Sequence, residues 1–286
     1  MNLTSVKIIK DLLARHGFSF SKSLGQNFLI NPAICPKIVS GGRHLTDIAP
    51  CGFEIGAGIG VLTKELAKTC KKVICVEIDR TLKPILDETL ADCPNVEIVW
   101  GDVLKLDLQR LFAEKFDADA EIICCANLPY YITSPVIMRL LEERLPLKSI
   151  TVMVQKEAAV RLCAPPGTRN CGAVSAAVRY YSEPKKLFDV SRGSFMPAPN
   201  VDSAVIRLDI YAEKRADVED ETLFFRIVRA AFSQRRKQLV NPVSAELKLS
   251  KETVKAALIA CGLNPAARAE ELTLEDFIGV FKELKP

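Results

Sequence analysis

The chain is 286 residues long, with 49% hydrophobic and 26% charged side chains and a formal net charge of +4. This composition describes a globular protein with room for one large and one small domain, and it excludes collagen-like, coiled-coil and disordered chains. The charge excess is concentrated in residues 1–53, where Lys7, Lys10, Arg15, Lys22, Lys37 and Arg43 face only Asp11 and Asp47, and it is too mild by itself to mark a nucleic-acid binder.

In chain order, the opening MNLTSVKIIKDLLARHG carries a helical pattern (Val6, Ile9, Leu12, Leu13) and lacks the apolar core of a secretory signal. No run approaches 18 apolar residues, so no membrane span is expected. The ten cysteines are scattered without a CxxC, and His16 and His44 are the only imidazoles. Reduced thiols, no metal and a cytoplasmic location are the expectation.

From Phe53 short apolar runs alternate with helical segments. Strands are predicted over 52–55, 72–77, 96–100, 121–126 and 149–155, with helices over 62–69, 82–90, 108–116 and 135–145. Ser134 reads as the N-cap of the last helix, with Pro135 at its first position. The alternation predicts a doubly wound α/β domain with a parallel sheet. A further strand is expected over 201–210, after an irregular, Pro-rich stretch at 190–199. Beyond the charged link at 213–221 the text is helical, over 223–239, 251–261 and 274–284, punctuated by Pro242 and by the Gly262-Leu263-Asn264-Pro265 turn. The boundary is placed near residue 211, giving domains of 1–210 and 211–286.

The chemistry begins at Phe53-Glu54-Ile55-Gly56-Ala57-Gly58-Ile59-Gly60, a strand entering a glycine turn. Its GxGxG spacing differs from the dinucleotide fingerprint GxGxxG. Glycines there let a ligand lie against bare backbone. Glu77 ends the next strand, where a carboxylate can accept both hydroxyls of a ribose. Asp79 lies just past that strand and reads as a solvated or capping residue. Asp102 places a further acid after the third strand. These features suit a nucleoside ligand without a pyrophosphate, such as S-adenosylmethionine, but an NAD-type fold or a purely structural βαβ core remains open on them alone. No P-loop supports ATP hydrolysis.

The fourth strand ends in Asn127-Leu128-Pro129-Tyr130, an [ND]-x-P-[YF] tetrad. An exocyclic amine on a base shares its lone pair with the ring and is a poor nucleophile. Acceptors facing its protons favour rehybridisation where charge develops. Asn127 supplies a side-chain oxygen, Leu128 a carbonyl, Pro129 a stiff turn and Tyr130 a ring for stacking. No strong base is needed, because the methylated cationic nitrogen can lose its proton to water.

Along nearly its whole length the chain resembles the KsgA/RsmA-type ribosomal RNA adenine dimethyltransferases. The matching text is SLGQNFL (23–29), EIGAGIGVLT (54–63), VEID (76–79), GDVLKLD (101–107), ANLPYYITSPV (126–136), MVQKE (153–157), FMPAPNVDSAV (195–205) and AFSQRRK (231–237). Ala57 departs from the proline frequent in the family, with the flanking glycines kept. The resemblance implies a Rossmann-like class I methyltransferase domain with a lid segment at about 1–50, and a small C-terminal helical domain that recognises RNA. It also implies S-adenosylmethionine as cofactor, held by Asn27, Leu29, Gly56, Gly58, Glu77, Asp102 and Asn127. Phe195 would sandwich the target base opposite Tyr130. The implied reaction is N6,N6-dimethylation of two adjacent adenosines in the 3′-terminal hairpin of small-subunit rRNA, by a monomer acting on the immature 30S subunit during ribosome biogenesis.

Arg226, Arg229, Arg235, Arg236 and Lys237 form an acid-free basic segment, read as facing the RNA together with Lys22. Some of these cations could instead pair across the domain junction. Two rivals stay open. One is the group of resistance methylases that dimethylate an adenine of the large-subunit rRNA; the other is an assembly factor that acts mainly by binding.

Overall fold

The computed structural model describes residues 1–21, 24–42, 49–213, 217–234 and 236–285. The chain divides into two compact units, one of Met1–Ala159 with Lys185–Ile210 and one of Val160–Pro184 with Tyr211–Pro286.

The first unit opens with helix α1 (Val6–Arg15), whose Ile9, Leu12 and Leu13 are buried. Those side chains share an apolar cluster with Ile59, Leu82 and Ile85, and a fully buried side chain of this size contributes about 1.5–3 kcal/mol. Then follow β1 (Phe28–Leu29), α2 (Ile34–Gly42), β2 (Cys51–Ile55), α3 (Val61–Thr69), β3 (Lys72–Glu77), α4 (Lys83–Thr89), β4 (Val96–Trp100), α5 (Leu108–Lys115), β5 (Ile122–Asn127), α6 (Thr133–Glu142) and β6 (Leu147–Gln155). After α7 (Lys156–Leu162) and α8 (Ala173–Tyr181) come β7 (Ser182–Val190), β8 (Phe195–Met196) and β9 (Ser203–Ile210). Seven strands form one sheet in the order β4-β3-β2-β5-β6-β9-β7. It is parallel from β4 through β6, and β9 runs antiparallel to β6. β2 is buried at every residue and β5 at all but its last, as in strands covered on both faces. The mixed α/β, doubly wound architecture follows from that apolar text.

Three local expectations are corrected. Helix α6 starts at Thr133 with Ile132 as its N-cap residue, so Ser134 is not the cap and Pro135 is the third helical residue. A 3-10 turn at Tyr130–Ile132 runs straight into the helix and supplies its first turn. The helix expected over 223–239 ends at Ser233: α9 spans Glu221–Ser233, and a further helix, α10 (Val240–Leu247), follows with Pro242 inside its first turn, where a missing N–H costs nothing. Part of the Pro-rich stretch at 190–199 is β8, which pairs with β1.

The second unit also departs from the expected boundary. It takes in Val160–Pro184 because Tyr180 and Tyr181 pack their rings on Phe224 and Phe225 of α9 at 5.1–5.6 Å, and the Tyr180 hydroxyl donates to Glu221 at 2.9 Å. α11 (Lys251–Ala260) and α12 (Leu274–Leu284) complete it, capped by Ser250 and Thr273.

Phe53 lies fully buried in the middle of β2, edge-on to Phe112 at 4.8 Å. Phe53→Ala is expected to lower the urea-unfolding free energy by about 3–5 kcal/mol; a loss under 1 kcal/mol would show that the sheet core does not carry the fold.

Candidate active site

The strand order reverses between β2 and β5, and both strands end at the same carboxyl edge, with Ile55 beside Ala126. Ligands of open α/β sheets bind at such a switch point. A cleft of about 300 Å³ opens there, lined by the glycine turn, the ends of β3 and β4, the tetrad and the 24–29 segment. The last of these is brought in by a two-stranded ladder joining residues far apart in the chain, Phe28 opposite Met196 and Leu29 opposite Phe195.

Gly56 and Gly58 sit at φ +82° and +56°, a left-handed backbone that favours glycine. A Cβ at Gly56 would meet nothing within 4 Å, so its face is open, whereas one at Gly58 would lie 3.4 Å from the Phe28 ring. The Gly58 N–H donates to Glu77 Oε2 at 3.0 Å, and the Asp79 N–H to Oε1 at 2.8 Å. Burial raises the Glu77 carboxyl above its ordinary range, partly offset by N–H groups of Asp79, Gly58 and Ile78. The carboxylate keeps acceptor capacity for a further donor. Asp102 lines the same wall and accepts the Leu104 N–H at 2.9 Å.

Asp79 is buried rather than solvated. It caps the short turn after β3 through the Thr81 N–H at 3.0 Å and accepts Gln26 Nε2 at 2.6 Å. Gln26 in turn accepts the Ser21 N–H at 2.9 Å. The 24–29 segment is therefore latched to the β3 end.

In the tetrad, Asn127 Nδ2 donates to the Asn27 carbonyl at 3.3 Å. That contact assigns the amide orientation and leaves Oδ1 as an acceptor. The Asn27 side chain donates to the Gly25 carbonyl at 3.0 Å. Leu128 is buried, Tyr130 is half-buried along the cleft, and Tyr131 is exposed at its mouth. Leu29 and Phe195 are buried in one apolar cluster with Ile38 and Val205, and both reach the cleft wall.

Sequence reasoning passed over Glu54, Ile78 and Gln26, which also line the cleft. The signal for Glu54 was a charged residue inside an otherwise apolar strand. It is 1% exposed, and neither carboxylate oxygen has a well-formed hydrogen bond. Burial pushes its carboxyl up to about 8, with the Thr63 hydroxyl and Cys75 thiol relieving part of the cost. Among the described residues the buried charged side chains are Glu54, Glu77 and Asp79, all at this cleft or its latch, and no lysine or arginine lines it.

Of the expected RNA-facing cations, Lys22 and Arg235 lie outside the described residues. Arg229, Arg236 and Lys237 are exposed. Arg226 pairs with Glu246 of α10 at 3.2 Å, within the same unit.

The family model for ribosomal RNA adenine dimethylases matches residues 17–286. The chain belongs to the ribosomal RNA adenine dimethylase family. It is 49% identical over 280 residues to the ribosomal RNA small subunit methyltransferase A of Geobacillus thermodenitrificans, covering 97% of this chain and 95% of that protein. Among solved structures it is similar to a dimethyladenosine transferase from Plasmodium falciparum, with a TM-score of 0.69, 27% identity and coverage of 88% and 95% of the two chains. The 23S rRNA methyltransferase ErmE is also similar, with a TM-score of 0.67, 26% identity and coverage of 90% and 99%. The family match takes in both the cleft and the basic segment at 226–237.

Because folding raises the Glu54 pKa, this group's stabilising contribution is full below the ordinary carboxylate range and is lost as pH rises through about 8. Glu54→Gln is expected to flatten the fall in unfolding free energy between about pH 5 and 8, by up to about 1.4 kcal/mol per pH unit. Urea titrations at stepped pH measure this, and a slope equal to that of the wild type would mean that Glu54 does not take up a proton on folding.

Proposed function

We propose that the protein uses S-adenosylmethionine to dimethylate N6 of two adjacent adenosines in the 3′-terminal hairpin of small-subunit rRNA, within the immature 30S subunit. The observation that carries this reading is the concentration of buried acid at a cleft with no lysine or arginine among its described lining residues, beside an Asn-Leu-Pro-Tyr turn. Among the described residues a pyrophosphate ligand would find carboxylates and no cationic side chain there. A nucleoside bearing a positive sulfonium fits: Glu77 would take the ribose hydroxyls, Asp102 the adenine amino group, and the open face of Gly56 the close approach. Asn27 and Leu29 would cover the amino-acid end. When bound, the cofactor supplies an electrophilic methyl group.

The chain's own residues prepare the nucleophile. The target base is extruded from the RNA, with Tyr130 as its stacking platform and Phe195 as the opposite wall. Asn127 Oδ1 accepts one N6 proton and the Leu128 carbonyl the other, which draws the lone pair out of conjugation as charge develops. The product nitrogen sheds its proton to water, so the cleft needs no base of high pKa.

The second unit is read as the RNA-recognition part, through Arg226, Arg229, Arg235, Arg236 and Lys237, with Lys22 from the first unit. The small-subunit substrate is favoured over the large-subunit one because identity to the small-subunit methyltransferase is 49%, against 26% to ErmE. No helix among the described residues is long and apolar enough to cross a membrane, and no group of three or more His, Cys, Asp or Glu residues there could hold a metal ion. A monomer working in the cytoplasm completes the proposal.

The deciding assay supplies S-adenosylmethionine with small or large ribosomal subunits lacking the dimethyl mark, and scores N6,N6-dimethyladenosine by mass spectrometry. Product in small-subunit RNA alone is expected. Product only in the large subunit would transfer the assignment to the resistance-type reaction, and tight binding without product would favour an assembly factor. In the same assay Asn127→Ala is expected to lower kcat about 100-fold or more while the protein stays folded. Glu77→Ala should chiefly weaken cofactor binding, and full turnover by either variant would refute the site. Replacing Arg235, Arg236 and Lys237 together should reduce the salt dependence of RNA binding by roughly two units of log–log slope. Cofactor affinity should not change, and an unaltered slope would remove this segment from the interface.

A further inference from the structure

Tyr130 reaches the strand that follows the Pro-rich stretch. Its phenolic oxygen lies 2.7 Å from Ser203 Oγ in a hydrogen bond that spans 73 residues of chain. Ser203 is fully buried at the start of β9, opposite Gln155 of β6. The residue before it is pinned twice, since the Asp202 carbonyl accepts the Lys156 N–H at 3.0 Å and its Oδ1 accepts the Arg192 N–H at 2.9 Å. The Ser203 hydroxyl therefore stands on a fixed frame.

The other end of the tyrosine is held as well. Pro129, at φ −55°, sets the backbone entering Tyr130, and the Ile132 N–H closes the turn on the Pro129 carbonyl at 3.1 Å. A half-buried ring anchored at its backbone and at its para oxygen has lost its freedom to swing before any base arrives. Alignment of a reacting group in advance is what raises the rate of a bound complex. Burial keeps the phenol protonated well past neutrality, the Ser203 contact notwithstanding.

We infer that Ser203 is a positioning residue for the methyl transfer: through its hydrogen bond to the Tyr130 hydroxyl it fixes the ring on which the target adenine stacks. The inference rests on the adenine-methylating reading above and adds a residue that touches neither base nor cofactor. A merely structural Ser203, satisfying its own buried hydroxyl, would affect stability and leave turnover per folded molecule unchanged.

The test is a double-mutant cycle on undermethylated small subunits, using wild type, Ser203→Ala, Tyr130→Phe and the double variant, with kcat and both KM values measured per folded enzyme. Tyr130→Phe keeps the ring and removes only the anchor. Each single variant is expected to lose roughly three- to tenfold in kcat, the effect of one neutral hydrogen bond. The KM for S-adenosylmethionine should be unchanged, and the double variant should be no slower than the slower single. Wild-type kcat in either single variant, or losses that multiply in the double, would overturn the inference. Should Ser203→Ala fail to fold, Tyr130→Phe decides alone. Absence of dimethyladenosine with the wild type would instead refute the underlying reaction.

Discussion

The parallel pairing of β2 with β5 is the constraint on which the rest of this molecule depends. β2 is central and buried along its length, so its register with β5 is held by apolar packing on both faces. Because the two strands end level, the glycine turn and the Asn127–Tyr130 turn open into one crevice without any dedicated contact between them. Slipping the pair by one residue would turn each side chain to the opposite face and aim Asn127 away. Precision at the site is thus inherited from core packing, which is why rigid strand ends hold chemistry better than free loops do.

Onto that edge the chain adds two pieces by local bonding. The β1–β8 ladder contributes only a pair of short strands, yet it carries the 24–29 segment to the wall that holds Phe195. The Gln26–Asp79 contact and the Asn127–Asn27 contact then fasten that segment at both sides of the cleft. One set of bonds therefore both closes the wall and chooses which atom of the Asn127 amide faces inward. The acids cost stability where they stand: burial raises both Glu54 and Glu77 above their ordinary range. Burial disfavours the charged form of both, so the cost of placing these acids and their raised pKa have one cause.

How much of this was legible in the sequence follows from which forces dominate locally. The strands at 72–77 and 96–100 stand where apolar alternation put them, because continuous Val and Ile text has few alternatives. The glycine turn and the tetrad are written in consecutive residues, and the structure brings both to one cleft. β7 was not legible: Ser182–Val190 holds two adjacent lysines and a proline and has exposed residues along its length, so it lacks the pattern of a buried strand. The helix break after Ser233 was hidden as well, since good helix formers continue across it and tertiary packing decides. The affiliation of Val160–Pro184 depends on two tyrosines meeting two phenylalanines about 45 residues away, a pairing no local window reports.

The site residues divide in the same way. Glu77, Asp102 and Asn127 stand at strand ends, where position along one strand already tells what they face. Ser203 and Asp79 hydrogen-bond partners far away in the chain, Tyr130 and Gln26, and these contacts appear only once β9 is laid beside β6 and the 24–29 segment is folded over β3. Both are polar groups in buried places, where an apolar residue would pack at less cost unless a partner were waiting. Departures from the apolar rule in this first unit are therefore informative, and its buried charges collect at a single cleft and the latch beside it. The carboxyl edge of the sheet thus gathers buried acids and a tyrosine ring at one cleft, while among the described residues no lysine or arginine lines it.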